Sequence, residues 1–210
     1  MIDRNTLKIS DKCYFQEQQE KDLIVLHFTA GGNAASSAQW WNNNANRVST
    51  PYLVDMDGVI YETYDPKYWS YHLGIKGADP GHHNDKRSIG IEVCNYGPLK
   101  LSGNTLNSWP KDFNNNYCDL SQADKYVKAK FRGFDYYAAF SELQKVAIGH
   151  LVDHLCSKFN IKKEIAVESK RNECDVPFYS KWKGICTHAN FRPDKFDISW
   201  DVIDKAWLGL

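Results

Sequence analysis

The chain has 210 residues, 25% of them charged and 14% aromatic, which is enough for one sizeable hydrophobic core. Its 26 lysines and arginines balance its 26 aspartates and glutamates, so no overall positive field would concentrate nucleic acid or an anionic membrane surface. We therefore expect a single domain over residues 1–210 that binds neither nucleic acid nor membranes.

The cysteines and the first residues indicate where the chain is made. Six cysteines are scattered without a C-x-x-C pair, which is not the pattern of a disulfide scaffold. The opening segment MIDRNTLKISDKCYF has no apolar h-region, and nowhere do about 18 apolar residues run together. We expect a monomer that is synthesised in the cytoplasm with reduced thiols, without a signal peptide and without membrane insertion.

The first clear element is the apolar run LIVLHFTAGG, residues 23–32, which predicts a buried strand ending at His27. The small and polar residues 29–32 stop the strand where backbone can approach a ligand closely. Taken alone, His27 is either a half-buried core histidine or a functional side chain at a strand end. Partners elsewhere in the chain have to decide between these interpretations.

Short elements follow in the next 60 or so residues. Two apolar runs flank Asp57-Gly58, which is a strong signal for a β-hairpin. A later apolar strand contains a single carboxylate, Glu92. The expected elements are a helix around 38–41 that decays in the asparagine cluster 42–46, hairpin strands over 52–54 and 59–61, and a strand over 88–94.

Residues 97–137 are rich in Gly, Asn, Pro and aromatic residues and show no sustained period. A stretch of this length inside a compact domain is usually an ordered functional loop or an insertion. We interpret it as an elaborated loop region that forms a lid or one wall of a substrate cleft.

The last third of the chain begins with a clear helix. Ser141 and Gln144 have the spacing of a capping box, and a final short strand over 184–187 delivers His188. Alternating strands and helices indicate an α/β domain with a central mixed sheet flanked by helices. The helix is expected to use apolar positions Leu143, Val146, Ala147, Leu151, Leu155 and Phe159.

Three residues form a candidate metal site at the strand ends. His27 and His188 each end a predicted strand, and Asp197 follows nine residues after the second histidine. A catalytic zinc site typically has three such protein ligands and one open position. Spacing alone leaves open that Asp197 is a solvated loop acid.

Other histidines are weaker candidates. His150 and His154 lie four residues apart on the long helix and could share a metal as in H-E-x-x-H proteins, but the glutamate is missing. We favour a solvated or partly packed helix face for both. His82 and His83 are expected in a loop.

Five ordered motifs resemble the type 2 N-acetylmuramoyl-L-alanine amidases, whose zinc fold is shared with peptidoglycan recognition proteins and many phage endolysins. The resemblance runs from about residue 8 to residue 201, with 97–137 as an elaboration. The motifs are LIVLHFTAGG, VSTPYLVDMDGVIYE, WSYHLG, NDKRSIGIEVCN and THANFRPDKFD.

The resemblance implies roles for individual residues. His27, His188 and Asp197 would bind zinc, Lys195 would help to stabilise the oxyanion, and Glu92 would be the general base. The alternative for Glu92 is an acid on a solvated strand face. As an amide carbonyl is attacked, negative charge develops on its oxygen, which a lysine can stabilise.

The substrate contacts are less well defined. Some family members have a catalytic tyrosine at the position of Thr50, and its absence here places more weight on Glu92 as the base. We name Thr50, Trp69 and His72 as candidate substrate-binding residues, with a purely structural histidine as the alternative for His72.

The resemblance thus implies a zinc enzyme that hydrolyses the amide between N-acetylmuramic acid and L-alanine in peptidoglycan. We expect a phage endolysin that reaches the cell wall with the help of a separate release factor. The alternatives are a cytosolic muropeptide-recycling amidase and a non-catalytic peptidoglycan-binding module. Non-catalytic relatives typically lose a zinc ligand, whereas all three candidates are present here.

Overall fold

A computed structural model describes residues 1–75, 77 and 79–210. The strands are β1 (Ile2–Asp3), β2 (Leu23–Phe28), β3 (Tyr52–Val54), β4 (Ile60–Glu62), β5 (Ser88–Val93), β6 (Pro98–Ser102), β7 (Thr105–Ser108), β8 (Asn115–Asp119), β9 (Tyr126–Phe131), β10 (Phe134–Ala138) and β11 (Gly184–Thr187). The α-helices are α1 (Ala34–Asn44), α2 (His83–Arg87), α3 (Pro110–Phe113), α4 (Glu142–Phe159), α5 (Glu168–Arg171) and α6 (Val176–Tyr179). Short 3-10 turns lie at Asp11–Cys13, Pro80–His82, His188–Asn190 and Lys205–Leu208.

The central sheet is mixed and has six strands in the order β1-β4-β3-β5-β2-β11. Strands β3, β5, β2 and β11 are parallel, whereas β3 and β4 form the hairpin that Asp57-Gly58 predicts. Because the carboxyl ends of parallel strands meet at one sheet edge, the ends of β2, β5 and β11 lie together. This arrangement confirms the predicted α/β fold with a central mixed sheet.

Both faces of the central sheet are covered. Along β2, Ile24 and Leu26 pack in the cluster that contains α4, while Leu23 and Val25 pack in the cluster that contains α6. Successive side chains of a strand point to opposite faces, so His27 continues the face of Leu23 and Val25. The histidine therefore points away from α4, towards the side on which the cleft described below opens.

Helix α4 begins with the predicted capping box, in which Ser141 accepts a hydrogen bond from the backbone of Gln144 and the Gln144 side chain accepts one from Ser141. Some of the residues that the sequence predicts on the buried face of α4 are exposed instead, and neighbouring apolar residues are buried in their place. Leu143 and Val146 are 61% and 56% exposed, whereas Ile148 and Val152 are buried against the sheet. An apolar period alone does not show which of several neighbouring apolar residues face the core.

Residues 97–137 form strands rather than a loop. Strands β6 to β10 make a five-stranded antiparallel sheet in the order β8-β7-β6-β10-β9, which we call the second sheet. Its own small core contains Leu99, Leu106, Cys118 and Ala138. Strands β9 and β10 also contribute Ala129, Phe131 and Tyr137 to the core that contains α4. Exposed polar residues such as Lys128 and Lys130 separate the buried ones, so the pattern is hard to recognise among the asparagines and turn residues of this segment.

None of the helices in the described part of the chain is both long and apolar enough to cross a bilayer. All six cysteines are free thiols, five of them buried.

Gly149 tests the packing of α4 against the C-terminal segment. A Cβ atom there would lie 2.3 Å from the carbonyl oxygen of Trp207. Helix propensity alone predicts that Gly149→Ala stabilises the protein by about 0.5–1 kcal/mol, but we expect a net loss of about 1–3 kcal/mol because the helix must shift. Thermal unfolding measures this, with exposed His150→Ala as the matched control; a higher melting temperature for Gly149→Ala would contradict the packing.

Candidate active site

A cleft of about 680 Å³ opens at the carboxyl edge of the central sheet. It is bounded by helix α1 on one side and by the loop over residues 194–197 on another. Trp40 of α1 lines it and remains 53% exposed. The residues with titratable or hydroxyl groups in its lining include Thr50, His72, Glu92, His188, Lys195 and Asp197.

The three predicted metal ligands come together at the base of this cleft. The Nδ1 atoms of His27 and His188 are 3.0 Å apart, and Asp197 Oδ2 lies 3.2 Å from the first and 2.9 Å from the second. All three side chains are buried. The structure brings these three residues together in one group that could hold a metal ion, and no other group of this kind occurs within the described residues.

The other nitrogen of His188 fixes the position of its proton. His188 Nε2 lies 2.8 Å from the backbone oxygen of Leu73, and a carbonyl oxygen can only accept a hydrogen bond. His188 Nε2 must therefore carry the proton and donate it. In the neutral ring, Nδ1 then presents a lone pair to His27 and Asp197.

A chain of hydrogen bonds fixes the proton of His27 in the same way. The hydroxyl of Ser88 donates to the carbonyl of Asn84 over 2.6 Å, so Ser88 Oγ accepts from His72 Nε2 at 2.8 Å. Burial lowers the pKa of His72 well below its usual range, so the ring is neutral and its Nδ1 is an acceptor. His27 Nε2 therefore donates to His72 Nδ1 over 3.0 Å.

Three possible ligand atoms thus lie close to one point. Burial lowers the pKa of His27 to about 4, and although burial alone would raise the pKa of Asp197, its contacts with His188 and His27 hold it well below the usual range. Two imidazole nitrogens and a carboxylate oxygen at these distances are a donor set that one divalent cation can bind. The donor set and the hydrogen-bonded outer nitrogens fit zinc.

Glu92 lies beside this group on the same face of the sheet. It is the register partner of His27 across β5 and β2, and its Oε2 is buried with no hydrogen-bond partner among the described residues. Burial raises the pKa of Glu92 to about 8; the charge of Asp197 adds to this rise and that of Lys195 opposes it. A carboxyl group in this state can take up and release a proton near neutral pH.

Lys195 lines the cleft two residues before Asp197 and is partly exposed. Its charge acts on both Glu92 and His27. The lysine thus supplies positive charge next to the candidate metal position, as its place in the resemblance implies.

The candidate substrate contacts fall into different environments. Thr50 and His72 line the cleft, and Gly90 makes room for them because a Cβ there would lie 2.6 Å from Thr50 Cγ2 and 3.0 Å from His72 Nδ1. Trp69 does not lie among the described residues of the cleft wall. It is 4% exposed and stacks on Phe15 with ring centroids 4.0 Å apart.

The other histidines lie apart from the metal ligands. His150 and His154 are exposed on α4, as expected for a solvated helix face. His82 and His83, which were expected in a loop, lie instead in a 3-10 turn and at the start of α2. Sequence reasoning did not find Ser88, because its contact with His72 joins residues that are 16 positions apart.

The second sheet does not line the cleft. None of the described cleft residues comes from 97–137, contrary to the expectation of a lid or wall. The second sheet instead contacts the loop that carries Lys195. Arg132 of the second sheet donates hydrogen bonds to the backbone of this loop.

Comparison with known proteins agrees with this geometry. The chain matches the Amidase_2 family, N-acetylmuramoyl-L-alanine amidase, over residues 17–195. No curated protein matches it significantly.

Several solved structures share the fold at low sequence identity. PlyL is 16% identical with a TM-score of 0.52, and the match covers 94% of this chain and 86% of PlyL. The N-acetylmuramoyl-L-alanine amidase LysC from Clostridium intestinale URNW is 11% identical with a TM-score of 0.52, over 100% and 95% of the two chains. A selenomethionine derivative of AmpD is 15% identical with a TM-score of 0.52, over 99% and 92%. Because the family match spans most of the sequence, the chain belongs to the Amidase_2 family of N-acetylmuramoyl-L-alanine amidases.

Proposed function

We propose that the protein is a zinc-dependent N-acetylmuramoyl-L-alanine amidase that hydrolyses the amide between N-acetylmuramic acid and L-alanine of peptidoglycan. The observation that carries the proposal is the convergence of three possible ligand atoms, from His27, His188 and Asp197, at the base of an open cleft. Membership of the amidase family supports the choice of bond.

Different residues of the cleft carry out different steps of the proposed reaction. Zinc bound by the three ligands would act as a Lewis acid and activate water near neutral pH. Glu92 takes the proton of the attacking water as the new C–O bond forms, and then passes it to the leaving nitrogen as the C–N bond breaks. Lys195 stabilises the negative charge that develops on the carbonyl oxygen. The products are the lactyl carboxylate and a free L-alanine amino terminus.

We further propose that the substrate is polymeric peptidoglycan and that the biological role is cell lysis by an endolysin. The openness of the cleft and the exposed Trp40 at its side support a large glycan-peptide substrate.

Metal content tests the central proposal. We expect about one zinc per chain and loss of activity on chelation, because three ligands with one open position form a catalytic site. His188→Ala should lose zinc and the release of new L-alanine amino termini from purified peptidoglycan together. His150→Ala, an exposed histidine on α4, should lose neither. Full activity in metal-free protein would exclude zinc catalysis.

Glu92 and Lys195 can be separated from the ligands by variants that should keep zinc. Glu92→Gln preserves volume and removes the base, so turnover should fall by roughly 10²–10⁴. Lys195→Ala should lose about 2.7–4 kcal/mol of transition-state stabilisation if it acts as an oxyanion partner. Zinc analysis and single-turnover kinetics measure both effects. A Glu92→Gln enzyme with the parental rate would show that another group is the base. If the parent protein binds peptidoglycan without hydrolysing it, the protein is a recognition module.

The choice of substrate separates the two enzyme roles. An endolysin should solubilise intact sacculi, since its substrate is the polymer. A recycling amidase should prefer soluble anhydro-muropeptides. Initial rates on both substrates at equal concentrations of cleavable bonds decide the matter, and a strong preference for the soluble fragment would replace the endolysin role by recycling.

A further inference from the structure

Arg132 occupies the tip of the hairpin between β9 and β10 in the second sheet. The two-residue turn consists of Arg132 and Gly133, with φ of 47° and 86°. Positive φ at both central positions is typical of a type I′ turn, which favours asparagine, aspartate or glycine. The turn itself therefore gives no reason for a long cationic side chain at this position.

The guanidinium of Arg132 contacts a distant part of the chain. It donates to the carbonyl oxygen of Ala189 over 2.7 Å, to that of Arg192 over 2.6 Å and also to that of Lys195. These acceptors lie 57, 60 and 63 residues further along the sequence. One planar group with five donors thus holds three backbone oxygens in fixed relative positions.

These three carbonyls belong to the two segments that supply metal ligands. Ala189 directly follows His188, and Lys195 is two residues before Asp197. The backbone N–H of Ala189 also donates to the Asp197 carbonyl over 2.6 Å. Arg132 therefore bridges the start and the end of the loop whose geometry sets the distance between two ligands.

A second contact joins the same hairpin to the same loop. Phe134, the first residue of β10, packs edge-on against Phe196 with ring centroids 5.2 Å apart. Phe196 lies between Lys195 and Asp197 and itself lines the cleft. The hairpin tip thus contacts the loop both by hydrogen bonds and by aromatic packing.

We propose that Arg132 is a positioning residue through which the second sheet sets the geometry of the metal ligands and of Lys195. This inference rests on the proposed function, because it concerns zinc held by His188 and Asp197. Without the guanidinium, the loop carbonyls lose fixed donors and exchange to water, so the segment between the two ligands gains alternative conformations.

Arg132→Met tests this role, because it keeps the side-chain length and removes every donor. We expect the zinc dissociation constant, measured by competition with a chromophoric chelator, to rise by about 10–100-fold. At saturating zinc, kcat should fall because Lys195 is displaced, and KM for a muropeptide should change less because helix α1 on the other side of the cleft stays in place. Arg132→Lys should show an intermediate loss, because an ammonium cannot present the same planar fork.

Leu106→Ala is the control for general destabilisation. Leu106 is fully buried in the core of the second sheet, so the variant weakens that sheet without removing a donor to the loop. Zinc affinity should then stay close to that of the parent. An equal loss of affinity in Leu106→Ala and Arg132→Met would overturn the proposal in favour of a purely structural role.

The remaining outcomes are also decisive. Parental zinc affinity and kcat in Arg132→Met would overturn the positioning role while leaving the proposed function intact, whereas a parent that binds no zinc would refute the proposed function itself. If Arg132→Met does not fold, Arg132→Lys decides: parental zinc affinity overturns the proposal and weakened affinity supports it.

Discussion

The site depends on one geometric constraint, which is that two imidazole nitrogens and a carboxylate oxygen are held within 3.2 Å of one another. Two hydrogen bonds on the outer side orient the rings, one from His188 to a carbonyl and one from His27 to His72. The outer contacts therefore do as much to define the candidate metal site as the three side chains themselves. A divalent cation bound there would be attracted to all three atoms.

Two kinds of contact position the residues around the group of His27, His188 and Asp197. Parallel strands β2 and β5 bring Glu92 into register with His27, so the distance between base and ligand is set by the sheet. The loop that carries Lys195 and Asp197 is contacted instead by the Arg132 guanidinium, by the Phe134 ring and by the backbone N–H of Ala189. Regular backbone pairing thus positions one part of the site, and side-chain and loop contacts position the other.

The sequence predicted the parts that follow from strong local patterns. Apolar strands that end in His27 and His188 fix where those side chains lie, because strand ends meet at a sheet edge. The position of Asp197 required the combined motif, since nothing local distinguishes it from a solvated acid. The hairpin at Asp57-Gly58 and the capping box at Ser141 were likewise found from local chemistry.

Other features depend on contacts that a single sequence does not display. The strands between residues 97 and 137 are short and half-polar, so they resemble an irregular loop until their partners are known. Trp69 lies in an aromatic motif, yet tertiary packing against Phe15 buries it away from the cleft. His72 lines the cleft as expected, but its hydrogen bonds tie it to His27 and Ser88. In each case the position of the residue depends on the residue or strand that it contacts, and the local sequence does not show that contact.

The pairing of β2 with β11 has a consequence for the order of assembly. These strands join residues near positions 23 and 184, so the contact order of the site is high and loop closure is entropically expensive. A nascent chain synthesised from its amino end can form the hairpin of β3 and β4 early. The ligand group, by contrast, cannot exist until Asp197 has left the ribosome. The group of His27, His188 and Asp197 therefore forms later in synthesis than the hairpin of β3 and β4.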